Sequence, residues 1–399
     1  MTTGYANDIC IVGGAGRVGL PLALTFAGKG FRVIVCDINE AALESIGDGQ
    51  MPFAEKGAGD LLASSLEEGR LSVSSETSSV SHAANVIVTI GTPADELSKP
   101  ILSTFKSLAD DMLPHLSDDQ LVVLRSTVSP GTTDWLYDYL RANGRNTRVS
   151  FCPERIVQGQ AIEEIQLLTQ IVSGTTPEAE REAAALFREI SPGIVRLTPI
   201  EAEFAKLFSN AYRYIQFATA NQFYTIANAA GVDYSRVLEG MKKDYPRARD
   251  IPSAGFAAGP CLLKDTMQLA AFASDGFTLG HAAMNVNQGL VNYLIEEIRN
   301  RYGDLRRLRI GLLGMAFKAD SDDTRFSLSY KMKDILAFRA REVLTTDPYV
   351  TTDPNLLPVR EVMERSDLLV LCVPHAAYRR LDLNNRPVVD IWGFLNRDS

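Results

Sequence analysis

Residues 8–19 read DICIVGGAGRVG: an acid, four apolar or small residues, and then two glycine turns ending in Gly14-Ala15-Gly16-Arg17-Val18-Gly19. The continuous apolar run before the glycines has the character of a strand covered on both faces, the habit of parallel sheets flanked by helices. The next residues, LPLALTFAGKG at 20–30, are compatible with a helix, and a second apolar run, FRVIVCD at 31–37, ends on an acid. Strand, glycine turn, helix, strand and acid in that order form a dinucleotide-binding fingerprint, far more specific than its glycines alone. Gly14, Gly16 and Gly19 permit a tight turn and close backbone approach, so that a pyrophosphate can rest on the N-terminus of the following helix. Asp37 stands 18 residues beyond Gly19. A carboxylate there accepts a hydrogen bond from a ribose 2'-hydroxyl and repels a 2'-phosphate, which predicts NAD over NADP. The competing reading is a glycine-rich turn in an α/β protein that binds no dinucleotide.

Further apolar runs at 85–91 (NVIVTIG), 120–128 (QLVVLRSTV) and 148–154 (RVSFCPE) alternate with helix-like stretches. This predicts an α/β protein with an N-terminal Rossmann-like parallel sheet over 1–199, and QIVSG (170–174) and GIVRLTP (193–199) are candidates to extend it. From 200 to about 303 strand signals stop, and Phe204, Phe208, Ala211, Ile215 and Ala218 recur at intervals of three and four. The expectation is an all-helical spine whose apolar positions serve either its own core or a homodimer interface. At 308–314 (LRIGLLG) the α/β pattern returns, followed by REVLTTDP, DLLVLCVP and PVVDIWG. A smaller C-terminal Rossmann-like domain over 304–399 is predicted, sharing architecture but no sequence repeat with the first.

A chain of 399 residues is too long for a single core, and 46% hydrophobic with 22% charged residues suits a globular protein of several domains. The net charge of -9 argues against nucleic acid or a membrane surface as partner, since such sites gather Lys and Arg. It leaves room for a local basic pocket. Residues 1–8 (MTTGYAND) lack the basic and apolar regions of a secretion signal, and no apolar run reaches membrane-span length, so a cytoplasmic location is expected. Five cysteines without CxxC pairs predict neither a disulfide framework nor a metal site. Cys10, Cys36 and Cys372 lie in strand-like runs and Cys152 borders one, whereas Cys261 sits in GFAAGPCLLKD, a loop of small residues. His82, His115, His281 and His375 fall in no motif, and structural or surface roles are expected for them.

Polar candidates follow from position. Thr92, in Gly91-Thr92-Pro93, and Thr127, in the loop 125–133, lie where strands end, so each serves either to contact cofactor or reacting oxygen or to cap a helix. Glu203, Lys206 and Asn210 share one helix face, expected to lie opposite much of the apolar stripe; by spacing alone this is a solvated polar face. Cys261, Lys264 and Asp265 fall within five residues. A cation beside a cysteine stabilises its thiolate, which is the nucleophile; the other reading is a buried structural cysteine.

Six segments in order, GGAGRVGLPLA, VVLRSTVSPGTT, FCPERIVQGQA, EAEFAKLFSNAYR, GFAAGPCLLKD and GLLGMAFKADSDDTRFS, resemble the UDP-glucose/GDP-mannose dehydrogenase family along nearly the whole chain. The resemblance implies an NAD-dependent four-electron oxidation of the C6 alcohol of a nucleotide sugar, a UDP-hexose or UDP-N-acetylhexosamine, to a uronate. It gives Cys261 the role of nucleophile, through a thiohemiacetal and a thioester. Lys206 and Asn210 match residues around the reacting oxygen, with Lys206 acting either as a cation or as a base. Asp265 matches an acid that holds or activates water, Glu154 a glutamate of thioester hydrolysis and substrate contact, and Thr127 a residue that positions water. Lys264 and Arg325 match the cofactor side, Lys318 the nucleotide-sugar side, and Arg247 an arginine that reaches a neighbouring subunit's sugar; ordinary surface charge is the competing reading for Lys318, Arg325 and Arg247. Ala258 and Leu263 depart from the family pattern around the cysteine, as do Cys152 and Arg17 elsewhere, which leaves the identity of the sugar open. Two other functions are weighed on the same scaffold: a two-electron β-hydroxyacid-type dehydrogenase, which needs no cysteine, and a catalytically silent NAD-binding protein.

Overall fold

The structure, a computed structural model, describes residues 4–90, 102–274, 276–383 and 386–395. Contacts divide the chain into two compact units, Met1–Phe208 and Ser209–Ser399. In the first, β1 (Asn7–Val12), α1 (Gly19–Gly28), β2 (Val33–Cys36), α2 (Glu40–Gly47), α3 (Ala58–Glu67), β3 (Leu71–Ser74), β4 (Ala83–Val88), α4 (Leu102–Met112), β5 (Leu121–Leu124), α5 (Thr132–Ala142) and β6 (Arg148–Phe151) build a six-stranded sheet of order β3-β2-β1-β4-β5-β6. All its pairs are parallel. The apolar runs are continuous because the sheet is covered on both sides: Ile9, Ile11, Val33 and Val35 join Leu20, Leu24, Phe26 and Phe187 in one layer. Cys10, Val12, Ile34 and Cys36 join Phe105, Leu136 and Leu140 in the other.

The unit continues with α6 (Ala161–Leu167), β7 (Gln170–Val172), α7 (Pro177–Arg188) and β8 (Ile194–Arg196). Here the expectation that 170–174 and 193–199 extend the main sheet is corrected. β7 and β8 form their own two-stranded sheet, and the backbone bonds to β6 come from the residues after β7, Ser173 N–H to Phe151 O (3.1 Å) and Thr175 N–H to Val149 O (3.0 Å). Edge strand β3 was not foreseen. Its sequence LSVS is short and buries only its first residue fully, so it carries little of the apolar signal of a central strand.

Helix α8 (Pro199–Ala229) contains the boundary between the units. Its buried face corrects the sequence expectation: Ala202, Glu203, Leu207, Asn210, Ala211, Tyr214, Ala218 and Asn221 are all buried, whereas Phe208 is 54% exposed. The polar residues therefore lie on the buried stripe, not opposite it, because each has a partner inside. Unit two adds α9 (Tyr234–Lys242), α10 (Leu262–Phe272) and α11 (Thr278–Tyr302). β9 (Arg309–Leu313), α12 (Leu328–Ala337), β10 (Glu342–Thr346), α13 (Val359–Arg365), β11 (Leu368–Leu371) and β12 (Val388–Asp390) follow, giving a parallel sheet of order β10-β9-β11-β12. Leu290, Val291, Leu294, Ile295 and Ile298 of α11 and Met332 and Leu336 of α12 pack with Ile310, Leu312, Leu368 and Val370 in one cluster. Val362, Met363 and Tyr378 pack with Leu313, Leu344, Leu369 and Leu371 in another.

Candidate functional site

In the first unit the order of strands reverses beside β1, and a crevice opens beyond the carboxyl ends at such a point. The glycine turn lies there. Gly13 and Gly14 donate their N–H groups to Cys36 O. A Cβ on Gly19 would stand 2.6 Å from Gly14 Cα and 2.7 Å from Gly13 O, so this glycine is required by the packing of helix on turn. Gly16 is different: a Cβ there would meet only Gly13 O, at 3.4 Å, and the protein's own packing does not demand a glycine. What it leaves open is close approach from outside. Asp37, half-buried at the end of β2, accepts Ala15 N–H (3.0 Å) on one oxygen and Asn39 N–H (3.1 Å) on the other. A carboxylate has about four acceptor positions, so capacity for a ribose hydroxyl remains. α1 has no side-chain cap and no acid in its first turn, which suits an anionic group at its N-terminus. The turn, the acid and the uncapped helix end fit a dinucleotide.

The loop after β5 carries Thr127, half-buried, and Arg125, which is wholly buried. Arg125 ion-pairs with Glu154 Oε2 and donates to Cys152 O (2.9 Å) and Gln170 Oε1 (2.8 Å), with its guanidinium over the Phe187 ring. Glu154 Oε1 accepts Arg155 N–H (2.7 Å) and Ile156 N–H (3.1 Å). Glu203 closes the same loop: it accepts Gly131 N–H (2.6 Å), Thr133 N–H (2.9 Å) and the Thr133 hydroxyl (2.6 Å), capping α5 from α8. Burial pushes the Glu203 carboxyl above its ordinary value despite these donors. Lys206, half-buried, follows one turn later on α8. Thr92 lies outside the described residues.

In the second unit Cys261 is exposed, takes no part in a disulfide, and occupies the N-cap position of α10. One turn on, Asp265 is buried; Asn210 of α8 donates to its Oδ2 at 2.5 Å, and Lys264 Nζ lies 3.1 Å from its Oδ1. Among the described residues Oδ1 has no hydrogen-bond partner. The loop before the cysteine is fixed by Asn221, which donates to Gly255 O (3.0 Å) and accepts Gly255 N–H (2.8 Å). Gly259, at φ +99°, could not carry a side chain, because a Cβ would come within 2.5 Å of the Phe317 ring. Phe317 belongs to the loop 314–327 that also holds Lys318 and Arg325. Arg325 pairs with Asp323 (2.7 Å), whose hydrogen bond and charge raise its pKa; Cys261 is near enough to add to that shift. Arg247 is not drawn into this group: it is exposed on the turn Pro246–Ala248 with its guanidinium over Tyr245.

Residues 7–191 match the NAD binding domain of the UDP-glucose/GDP-mannose dehydrogenase family, 200–289 its central domain and 311–397 its UDP binding domain. The chain belongs to this family. It is an NAD-dependent nucleotide-sugar dehydrogenase. Among its relatives is the UDP-N-acetyl-D-mannosamine dehydrogenase of Methanococcus aeolicus, 27% identical over 410 residues that span 98% of this chain and 92% of the relative. The NDP-N-acetyl-D-galactosaminuronic acid dehydrogenase of Ralstonia nicotianae is 27% identical, with 95% and 94% covered. The solved UDP-D-ManNAc dehydrogenase of Pyrococcus horikoshii superposes with TM-score 0.87 at 27% identity, covering 94% of this chain and 91% of that one. The UDP-glucose dehydrogenase of Pyrobaculum islandicum, at 24% identity with 99% and 97% covered, shares the fold with TM-score 0.90.

Sequence reasoning about this dehydrogenase missed two buried anchors. Nothing in the sequence marks Arg125, because an arginine inside an apolar strand run gives no sign of its partner 29 residues away. Spacing alone puts Glu203 on a solvated polar face, although it caps a helix 70 residues earlier. Ile38 is a further residue outside the motifs: it follows Asp37 at the end of β2 and is 91% exposed. An apolar residue directly after the acid was the available signal.

Proposed function

We propose that the dehydrogenase oxidises the C6 alcohol of a UDP-hexose or UDP-N-acetylhexosamine to the uronate, with Cys261 holding the intermediate covalently. The observation that carries this reading is the group in the second unit: an exposed sulfur at the N-terminus of α10, one turn before a buried aspartate that Asn210 and Lys264 approach. NAD, held by the Gly14–Gly19 turn and Asp37, supplies one chemistry, acceptance of hydride, needed twice per sugar. Lys206 and Asn210 act at the alcohol oxygen. The Cys261 sulfur then forms a bond to the aldehyde carbon while the oxygen takes the thiol proton, which restores an alcohol-like C–H for the second oxidation and keeps the aldehyde from escaping. Water breaks the C–S bond of the resulting thioester and returns the thiol. The sum is one alcohol, one water and two NAD to one carboxylate, two NADH and three protons.

Asp265 Oδ1, buried without a hydrogen bond, is the acceptor for the hydrolytic water. Glu154, whose Oε2 pairs with Arg125 and whose Oε1 accepts two N–H groups, holds the loop 152–156 in place for substrate contact and thioester hydrolysis. Lys264 and Arg325 are assigned to the cofactor side, and Lys318 and Arg247 to the nucleotide sugar. We assign NAD binding to residues 1–199, the helical spine to 200–303 and nucleotide-sugar binding to 304–399. A homodimer is inferred from α8, where Tyr212 (63%), Phe223 (40%) and Ile226 (60%) leave an exposed apolar stripe on one helical face.

The test is Cys261→Ser with a panel of UDP-, GDP- and dTDP-sugars. The wild type is expected to form two NADH per sugar consumed and the variant to lose carboxylate formation. Unchanged turnover to carboxylate in the variant would exclude the thioester route, and a wild-type ratio of one would return the chain to two-electron chemistry.

A further inference from the structure

We propose that His375 is a positioning residue for the nucleotide: its ring ties down the turn that presents Lys318 at the reversal point of the second sheet. This rests on the reading of Lys318 as a nucleotide-sugar ligand.

In the order β10-β9-β11-β12 the chain leaves β9 to one side and reaches β11 on the other, so a crevice opens between their carboxyl ends, the place where open α/β sheets take ligands. Two loops flank it, 314–327 after β9 and 372–375 after β11. The second ends in His375, which is completely buried. Its Nδ1 accepts Asp320 N–H at 2.9 Å, and Ala376 N–H returns a bond to Asp320 Oδ1 at 2.9 Å. A ring nitrogen that accepts an N–H carries no proton, so the ring proton sits on Nε2 and is donated to Asp347 Oδ2, 3.0 Å away.

Asp347 cannot give way. It accepts N–H groups from Met315 (2.7 Å), Ala316 (2.9 Å), Tyr349 (2.8 Å) and Val350 (3.1 Å), which fixes it to the start of the same turn. Tyr349 and Tyr378 close round the imidazole ring. The bond from Nδ1 reaches the residue where it matters most: Asp320 has φ +52°, a left-handed conformation that a non-glycine residue holds only when its surroundings enforce it. Lys318 is two residues earlier. The second Rossmann-like domain thus reuses the acid-on-turn contact seen between Asp37 and Ala15, but with the acid sealed inside and a histidine extending its grip across the crevice. His375 touches no ligand; it acts through Asp320.

Titration calorimetry of the full chain with UDP tests this. His375→Gln keeps a donor toward Asp347 but has no acceptor at the Nδ1 position, and is expected to weaken UDP at least tenfold, about 1.4 kcal/mol. His375→Asn places an oxygen near the Nδ1 position and is expected to stay within about threefold of the wild type, that is within about 0.7 kcal/mol. NAD affinity should be unchanged in both. Equal losses from Gln and Asn, or no loss from Gln, would overturn the proposal. Lys318→Ala separates the two levels: if it leaves UDP affinity intact, the reading of Lys318 fails and the clamp with it, whereas a loss there with none in His375→Gln sinks the clamp alone. Nitrogen NMR of the wild-type imidazoles gives a check that needs no variant, since a proton found on Nδ1 of His375 contradicts the acceptor role.

Discussion

Glu203 shows how burial and hydrogen bonding oppose each other at one residue. Its carboxylate satisfies two backbone N–H groups and a hydroxyl at the start of α5, yet desolvation raises its pKa above the usual glutamate value. Removing it strands those donors, so Glu203→Ala is expected to cost about 3 kcal/mol in urea unfolding. Glu203→Gln keeps one acceptor oxygen for Thr133 but turns an NH2 toward the Gly131 N–H, and should cost about 1–2 kcal/mol at neutral pH, less than the alanine. The sign of the pH effect follows from the raised pKa: the stabilising contribution of the wild-type residue is fully present below the unfolded value near 4.5 and declines as pH rises through the folded one. Wild type should therefore gain on Glu203→Gln as the pH is lowered. A gap that widens in the opposite direction would mean that the ionised form is the one preferred inside.

At the scale of elements, the turn between β1 and α1 separates two kinds of glycine. Gly19 has backbone atoms within 2.7 Å of any added Cβ, and backbone cannot step aside. Gly19→Ala is expected to destabilise by about 2 kcal/mol or more, as overpacking against rigid neighbours does. Gly16→Ala has room inside the protein and should leave the melting temperature nearly unmoved while weakening NAD, because its cost arises only when a diphosphate approaches. Thermal melts with and without NAD distinguish the two. Similar losses of stability in both variants would show that the turn is built for its own packing throughout.

At the scale of the molecule, the exposed stripe of Tyr212, Phe223 and Ile226 on α8 sets the expected assembly. A second copy covering this face would bury three large side chains per chain. Ile226→Glu combined with Tyr212→Glu is expected to halve the mass seen by sedimentation; an unchanged mass would place the interface elsewhere. Among the described residues no helix is long and apolar enough to cross a membrane.

The amino-acid order alone was enough for the strand-turn-helix-strand unit at 8–37, the return of α/β alternation after 307 and the separation of Cys261 from four buried cysteines. These are local signals: periodicity, glycine placement and an acid at the end of a strand act over a few residues and survive without knowledge of neighbours. Three-dimensional packing was needed for whatever depends on a distant partner. It put Glu203 and Asn210 on the buried side of α8, turned β7 and β8 into a sheet of their own, enclosed Arg125 against Glu154, and gave His375, in no motif, an aspartate on each ring nitrogen's side. A polar residue inside a protein costs free energy until it meets its hydrogen-bond partner, and that partner is chosen by the fold rather than by proximity along the chain.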